Sequence, residues 1–65
     1  MKFISGKELI KILQRHGWVI ASTEGSHYKL KKGNKSVVLP YHNKDLKPGI
    51  LAFLLKQTDL KQSDL

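Results

Sequence analysis

Two short segments carry most of the reactive side chains in this chain: Gly25-Ser26-His27, and Leu39-Pro40-Tyr41-His42 further on. Each ends in an imidazole, the one side-chain class that exchanges protons readily near neutral pH. Cleaving RNA by attack of a ribose 2′-hydroxyl on its own phosphate needs this kind of group. A base must take the hydroxyl proton, an acid must protonate the departing 5′-oxygen, and cations must offset charge on the phosphorane. His27 can fill one proton role, and Lys29, two residues on, can supply charge. His42 is a candidate contact or second proton-transfer group. Gly25 would let a substrate backbone approach closely, and the Ser26 hydroxyl would donate to phosphate. Without those roles, Gly25 and Ser26 are ordinary turn residues.

Other chemistries leave no trace. There is no Walker loop, GxSxG, CxxC or HExxH, and Ser26 lacks the surroundings of a nucleophile. The histidines at 16, 27 and 42 lack the spacing of metal ligands, so no metal and no cofactor is expected. His16 reads as the end of a helix, where its protonated form would meet the negative pole of the dipole.

With 65 residues the chain makes one domain, 1–65, that buries roughly 60% of its unfolded surface. No cysteine is present, so disulfides are excluded. The early charges of Met1-Lys2-Phe3-Ile4-Ser5-Gly6-Lys7-Glu8 argue against a secretory signal, and no apolar run approaches the roughly 20 residues of a membrane span. A soluble, cytoplasmic protein is the expectation. Twelve Lys and Arg against five Asp and Glu give a net charge of +7, which favours a polyanionic partner. All the cations but Arg15 are lysines, better suited to phosphate backbones than to bidentate base reading.

The elements that must hold these residues can be read from local patterns. Ser5-Gly6-Lys7-Glu8 is a capping box, with Ile4 and Leu9 placed as its hydrophobic staple. Leu9, Ile10, Ile12 and Leu13 form a helical stripe, and Gly17 suits the left-handed position after the helix. Trp18–Ser22 is β-prone, and Thr23-Glu24-Gly25-Ser26 reads as a turn. His27–Lys31 alternates, with Tyr28 and Leu30 on one face and His27, Lys29 and Lys31 on the other. Gly33-Asn34 marks a tight hairpin before the strand Lys35–Leu39, which Pro40 ends. After a polar connection from Tyr41 to Lys47, Pro48 opens a second helix with Ile50, Leu51, Leu54 and Leu55 as its stripe and Phe53 at its edge. A polar tail from Asp59 is expected to fray, with Leu60 near the core.

The order is α-β-β-β-α, an α+β fold with a three-stranded antiparallel sheet and two helices on one face. Ile20, Tyr28, Leu30, Val37 and Leu39 are expected to be buried. His27, Lys29 and Lys31 are expected on the open face, where RNA would lie. Trp18 and Tyr41 are the aromatics expected to be partly exposed, although a Trp after a helix-stopping Gly often fills a core.

With these residues in view the chain resembles the HicA family of toxins from HicA–HicB toxin–antitoxin systems. The resemblance runs through Gly17-Trp18, Gly25-Ser26-His27, Val38-Leu39-Pro40-Tyr41-His42, Lys44-Asp45-Leu46-Lys47-Pro48-Gly49-Ile50-Leu51 and Leu54-Leu55-Lys56-Gln57. It implies a fold similar to the double-stranded RNA-binding domain. It implies an mRNA interferase that cuts RNA without a metal cofactor and arrests translation, with His27 at the family's catalytic position. Gly25, Ser26, Lys29, Lys31 and His42 are the RNA contacts expected from the residues themselves. It also implies a HicB antitoxin that binds the toxin and blocks its active surface. Tyr28 stands where many relatives carry a second histidine. Two other classes compete: an RNA-binding module that uses the same face without catalysis, and an interaction protein whose basic surface docks an acidic partner.

Overall fold

The structure, a computed structural model, describes residues 4–65; Met1, Lys2 and Phe3, on which the reading of the N-terminal charges partly rests, lie outside the described residues. Helix α1 spans Gly6–Arg15, strands β1, β2 and β3 span Val19–Glu24, His27–Lys32 and Lys35–Pro40, and helix α2 spans Pro48–Thr58. The sheet runs β1-β2-β3, antiparallel throughout. This is the α-β-β-β-α order that the sequence pattern gives.

The start of α1 is built as its sequence demands. The Ser5 hydroxyl accepts from the Glu8 N–H at 3.1 Å, and the Glu8 carboxylate receives the Ser5 N–H at 3.4 Å. Ser5 is buried, so water cannot stand in for these bonds. Ser5→Ala is therefore expected to lower stability by about 1 kcal/mol. In a domain of this size that is a fall in Tm of roughly 4–8 °C. An unchanged thermal melt would mean that the box adds nothing to the folded state.

One core lies between the helices and one sheet face. Leu9, Ile10 and Leu13 of α1 and Leu51, Leu54 and Leu55 of α2 meet Leu30, Val37 and Leu39 of the sheet, with Ile4, Trp18 and Leu46 completing the cluster. Several expectations are corrected here. Ile20 pairs with Leu30 and so lies on the core face, yet it is 39% exposed. Strand β1 is an edge strand with no buried residue, and the helices do not cover its rim. Trp18, expected to be partly exposed, fills the space instead and is 2% exposed. Ile50 is also exposed: the buried stripe of α2 is Leu51, Leu54, Leu55 and Thr58, and Ile50 sits one residue, about 100°, out of phase with it.

The polar connection after β3 and the tail expected to fray are both tied down. In the connection after β3, Leu46 is buried and its N–H donates to the Ile4 carbonyl at 2.8 Å. The tail does not fray: Gln62–Asp64 forms a 3-10 turn, and Leu60 and Leu65 pack against the core. Among the described residues no helix is long and apolar enough to cross a membrane.

Candidate active site on the open sheet face

The register decides which side chains share the uncovered face. Cross-strand partners in an antiparallel sheet point the same way. His27 opposes Glu24 on β1 and Pro40 on β3; Lys29 opposes Ser22 and Val38; Lys31 opposes Val19 and Ser36. His27, Lys29 and Lys31 therefore stand in a row at intervals of about 7 Å along the central strand. His27 and Lys31 are exposed and Lys29 is half-buried. Val38 and Val19, 55% and 62% exposed, flank the two lysines and offer apolar surface to their stems. The face thus alternates cations with valines, and is less uniformly basic than composition suggests.

A two-residue turn sets His27 at the end of this row. The sequence reading put Thr23 and Glu24 in the turn, but both belong to β1, and only Gly25 and Ser26 connect the strands. Gly25 has φ +60° while Ser26 stays on the negative side, the pattern of a type II′ hairpin turn with glycine first. A Cβ on Gly25 would meet nothing within 4 Å, so backbone conformation, not crowding, demands glycine there within the folded chain. Gly25 and Ser26 are both exposed, beside His27.

The other histidine segment is laced to this turn from behind. Past Pro40, the Tyr41 N–H donates to the Ser26 carbonyl at 2.6 Å. The Tyr41 ring stacks on Tyr28, with centroids 4.6 Å apart and planes 8° from parallel. Lys7 of α1 lies over the same ring, Nζ 5.8 Å from its centroid. His42 follows, exposed, its carbonyl accepting from the Lys7 N–H at 3.1 Å. The fold brings the two segments together through Ser26 and Tyr41. His42 belongs to the loop tied to α1, not to the row on β2.

His16 stands elsewhere. It caps α1, and its carbonyl accepts from Lys32 Nζ at 2.6 Å. It lines a groove of about 560 Å³ with Trp18, Lys32, Lys35 and Asp59, at the end of the sheet opposite His27. No group of three or more His, Asp or Glu side chains arranged to hold a metal ion occurs among the described residues. The candidate site is a face, not a cavity, and a face suits a polymer better than a small molecule.

Sequence reasoning missed Glu24, Val19 and Val38 as parts of this surface. One signal was available and one was not. A Gly-Ser pair can close a hairpin alone, which makes Glu24 the partner of His27. Strand β1 also has a bulge between Ile20 and Ser22 that no residue type announces.

The family model for the HicA toxin of bacterial toxin–antitoxin systems matches residues 6–60, from the start of α1 past the end of α2. No curated protein and no solved structure matches the chain.

Proposed function

The chain belongs to the HicA toxin family of bacterial toxin–antitoxin systems, and from that premise we propose that it is an mRNA interferase, an endoribonuclease that arrests translation by cutting RNA. Membership implies an antitoxin partner; the partner proposed is a HicB protein that covers the open sheet face. The observation that carries the reading is the row His27, Lys29, Lys31 on a sheet face that neither helix covers.

Each residue has a role in it. His27 transfers a proton at the scissile phosphate. Lys29 offsets the charge that builds on the phosphorane, where a nearby cation stabilises the transition state more than the ground state. Lys31 holds the backbone further along the strand. The Ser26 hydroxyl donates to a phosphate oxygen, Gly25 keeps the turn narrow beneath the RNA, and His42 contacts the strand from the loop. Contacts of this kind are with phosphates and riboses, so they position the RNA without reading its sequence. The chemistry uses proton transfer and fixed charge and calls for no metal cofactor. A cytoplasmic location, where both mRNA and antitoxin are found, belongs to the same reading.

Purified protein incubated with labelled RNA tests it. Shortened fragments are expected, with EDTA present as well as absent, and adding the antitoxin is expected to stop their formation. RNA binding that weakens steeply with salt but yields no fragments would instead identify a non-catalytic RNA-binding module on the same face. No RNA affinity at moderate salt would leave only a docking surface for an acidic protein.

A further inference from the structure

A phosphodiester that cleaves itself through its 2′-hydroxyl needs two proton transfers, and a single imidazole supplies one at a time. We propose that Glu24 is the second proton-transfer group, the base that activates the 2′-hydroxyl, with His27 as the acid. This rests on the ribonuclease reading above and adds a catalytic residue to it.

Glu24 and His27 are cross-strand partners directly across the two-residue turn. Such partners have their β-carbons about 5 Å apart on the same face. A carboxylate and an imidazole on those stems can both reach one phosphodiester laid over the turn. The bulge between Ile20 and Ser22 sets the phase of β1. Six residues of regular strand would put Val19 and Glu24, its two ends, on opposite faces. With one extra residue in the strand, Val19, Ser22 and Glu24 share the open face with Lys31, Lys29 and His27.

Three of the other four acidic side chains have partners elsewhere, and the fourth, Asp45, is off the sheet. Glu8 closes the capping box of α1. Asp59 pairs with Lys35, and Asp64 accepts from the Lys61 N–H at 2.8 Å. Asp45 lies in the loop bridged to Ser5. Glu24 is exposed on the face that carries His27, and neither side chain has a hydrogen bond or ion pair with another described residue.

The step balances. The Glu24 carboxylate takes the 2′-hydroxyl proton as the oxygen's electron pair forms the O2′–P bond. The P–O5′ bond breaks, and the departing oxygen takes the proton of the His27 imidazolium. The products are a 2′,3′-cyclic phosphate and a 5′-hydroxyl, with Glu24 protonated and His27 neutral. Exchange with solvent restores both.

The test compares wild type, Glu24→Gln and His27→Ala on two RNAs, one ordinary and one whose scissile 5′-bridging oxygen is sulfur. A thiolate leaves without being protonated, so the sulfur RNA bypasses the acid but not the base. Glu24→Gln is expected to cleave both RNAs about 100-fold more slowly. His27→Ala is expected to be slow on ordinary RNA and to recover on the sulfur RNA. Removing a negative charge from a phosphate-binding face should hold or raise RNA affinity, so weaker binding would not explain the slower rate. Glu24→Gln cleaving within twofold of wild type, or recovering on the sulfur RNA, overturns the assignment while leaving a His27-dependent ribonuclease in place. Wild type cleaving neither RNA removes the ribonuclease reading and the role of Glu24 with it.

Discussion

Replacing His27 with alanine is expected to slow RNA cleavage by about 1,000-fold and to abolish growth arrest when the toxin is expressed without its antitoxin. The fold should barely change, and cleavage should stay slow at saturating RNA. His27 is exposed at the start of β2, and its side chain bonds to no other described residue. A surface substitution of that kind ordinarily alters stability by less than about 0.5 kcal/mol. The strand pairing of His27 with Glu24 and Pro40 is made by the backbone and survives the change. Loss of cleavage with an unchanged melt would therefore locate the defect in chemistry. Lys29→Ala is the contrasting variant: it should weaken RNA binding and flatten its salt dependence as well as slowing the reaction, because it removes a phosphate contact. If His27→Ala and wild type cleave at equal rates, His27 has no part in the reaction.

What the sequence discloses about this site depends on how local the determinant is. The cap at Ser5 and Glu8 is a four-residue pattern and was readable outright. So was the alternation from His27 to Lys31, which separates the core residue Leu30 from the lysines on the open face. The position of Glu24 was not, because Thr23-Glu24-Gly25-Ser26 consists of residues that all tolerate turns, and only pairing shows that two of them are strand. The bulge in β1 has no signature in its residues, so the faces of Ser22 and Glu24, beyond it, could not be assigned. Ile20 shows the same limit: its position on the core face follows from pattern, but its exposure depends on how far the helices reach across an edge strand. The Tyr28–Tyr41 stack joins residues from β2 and the loop after β3, and neither carries a local sign of the other.

The other large effect is expected at Gly6, and its sign distinguishes close packing from helix propensity. Gly6→Ala is expected to destabilise the fold by about 3 kcal/mol. A Cβ on Gly6 would stand 2.0 Å from the Pro40 carbonyl oxygen and 3.1 Å from its carbon. Both are backbone atoms, so no rotamer change relieves the contact; relief to the shortest separation real Cβ atoms keep, 3.0 Å, requires α1 and the end of β3 to move apart. That movement strikes where the Lys7 N–H reaches the His42 carbonyl at 3.1 Å, Leu46 N–H reaches Ile4 at 2.8 Å and Tyr41 N–H reaches Ser26 at 2.6 Å. It would loosen the turn that presents His27. Gly49→Ala provides the comparison: Gly49 lies in the first turn of α2, where a Cβ meets nothing within 4 Å. There the alanine should stabilise by about 0.5–1 kcal/mol through helix propensity. Thermal melts of the two variants should move in opposite directions, Gly6→Ala falling by well over about 10 °C. A Gly6→Ala protein that melts with wild type would show that α1 does not approach Pro40 this closely, and that the lacing behind the His27 turn is looser than described.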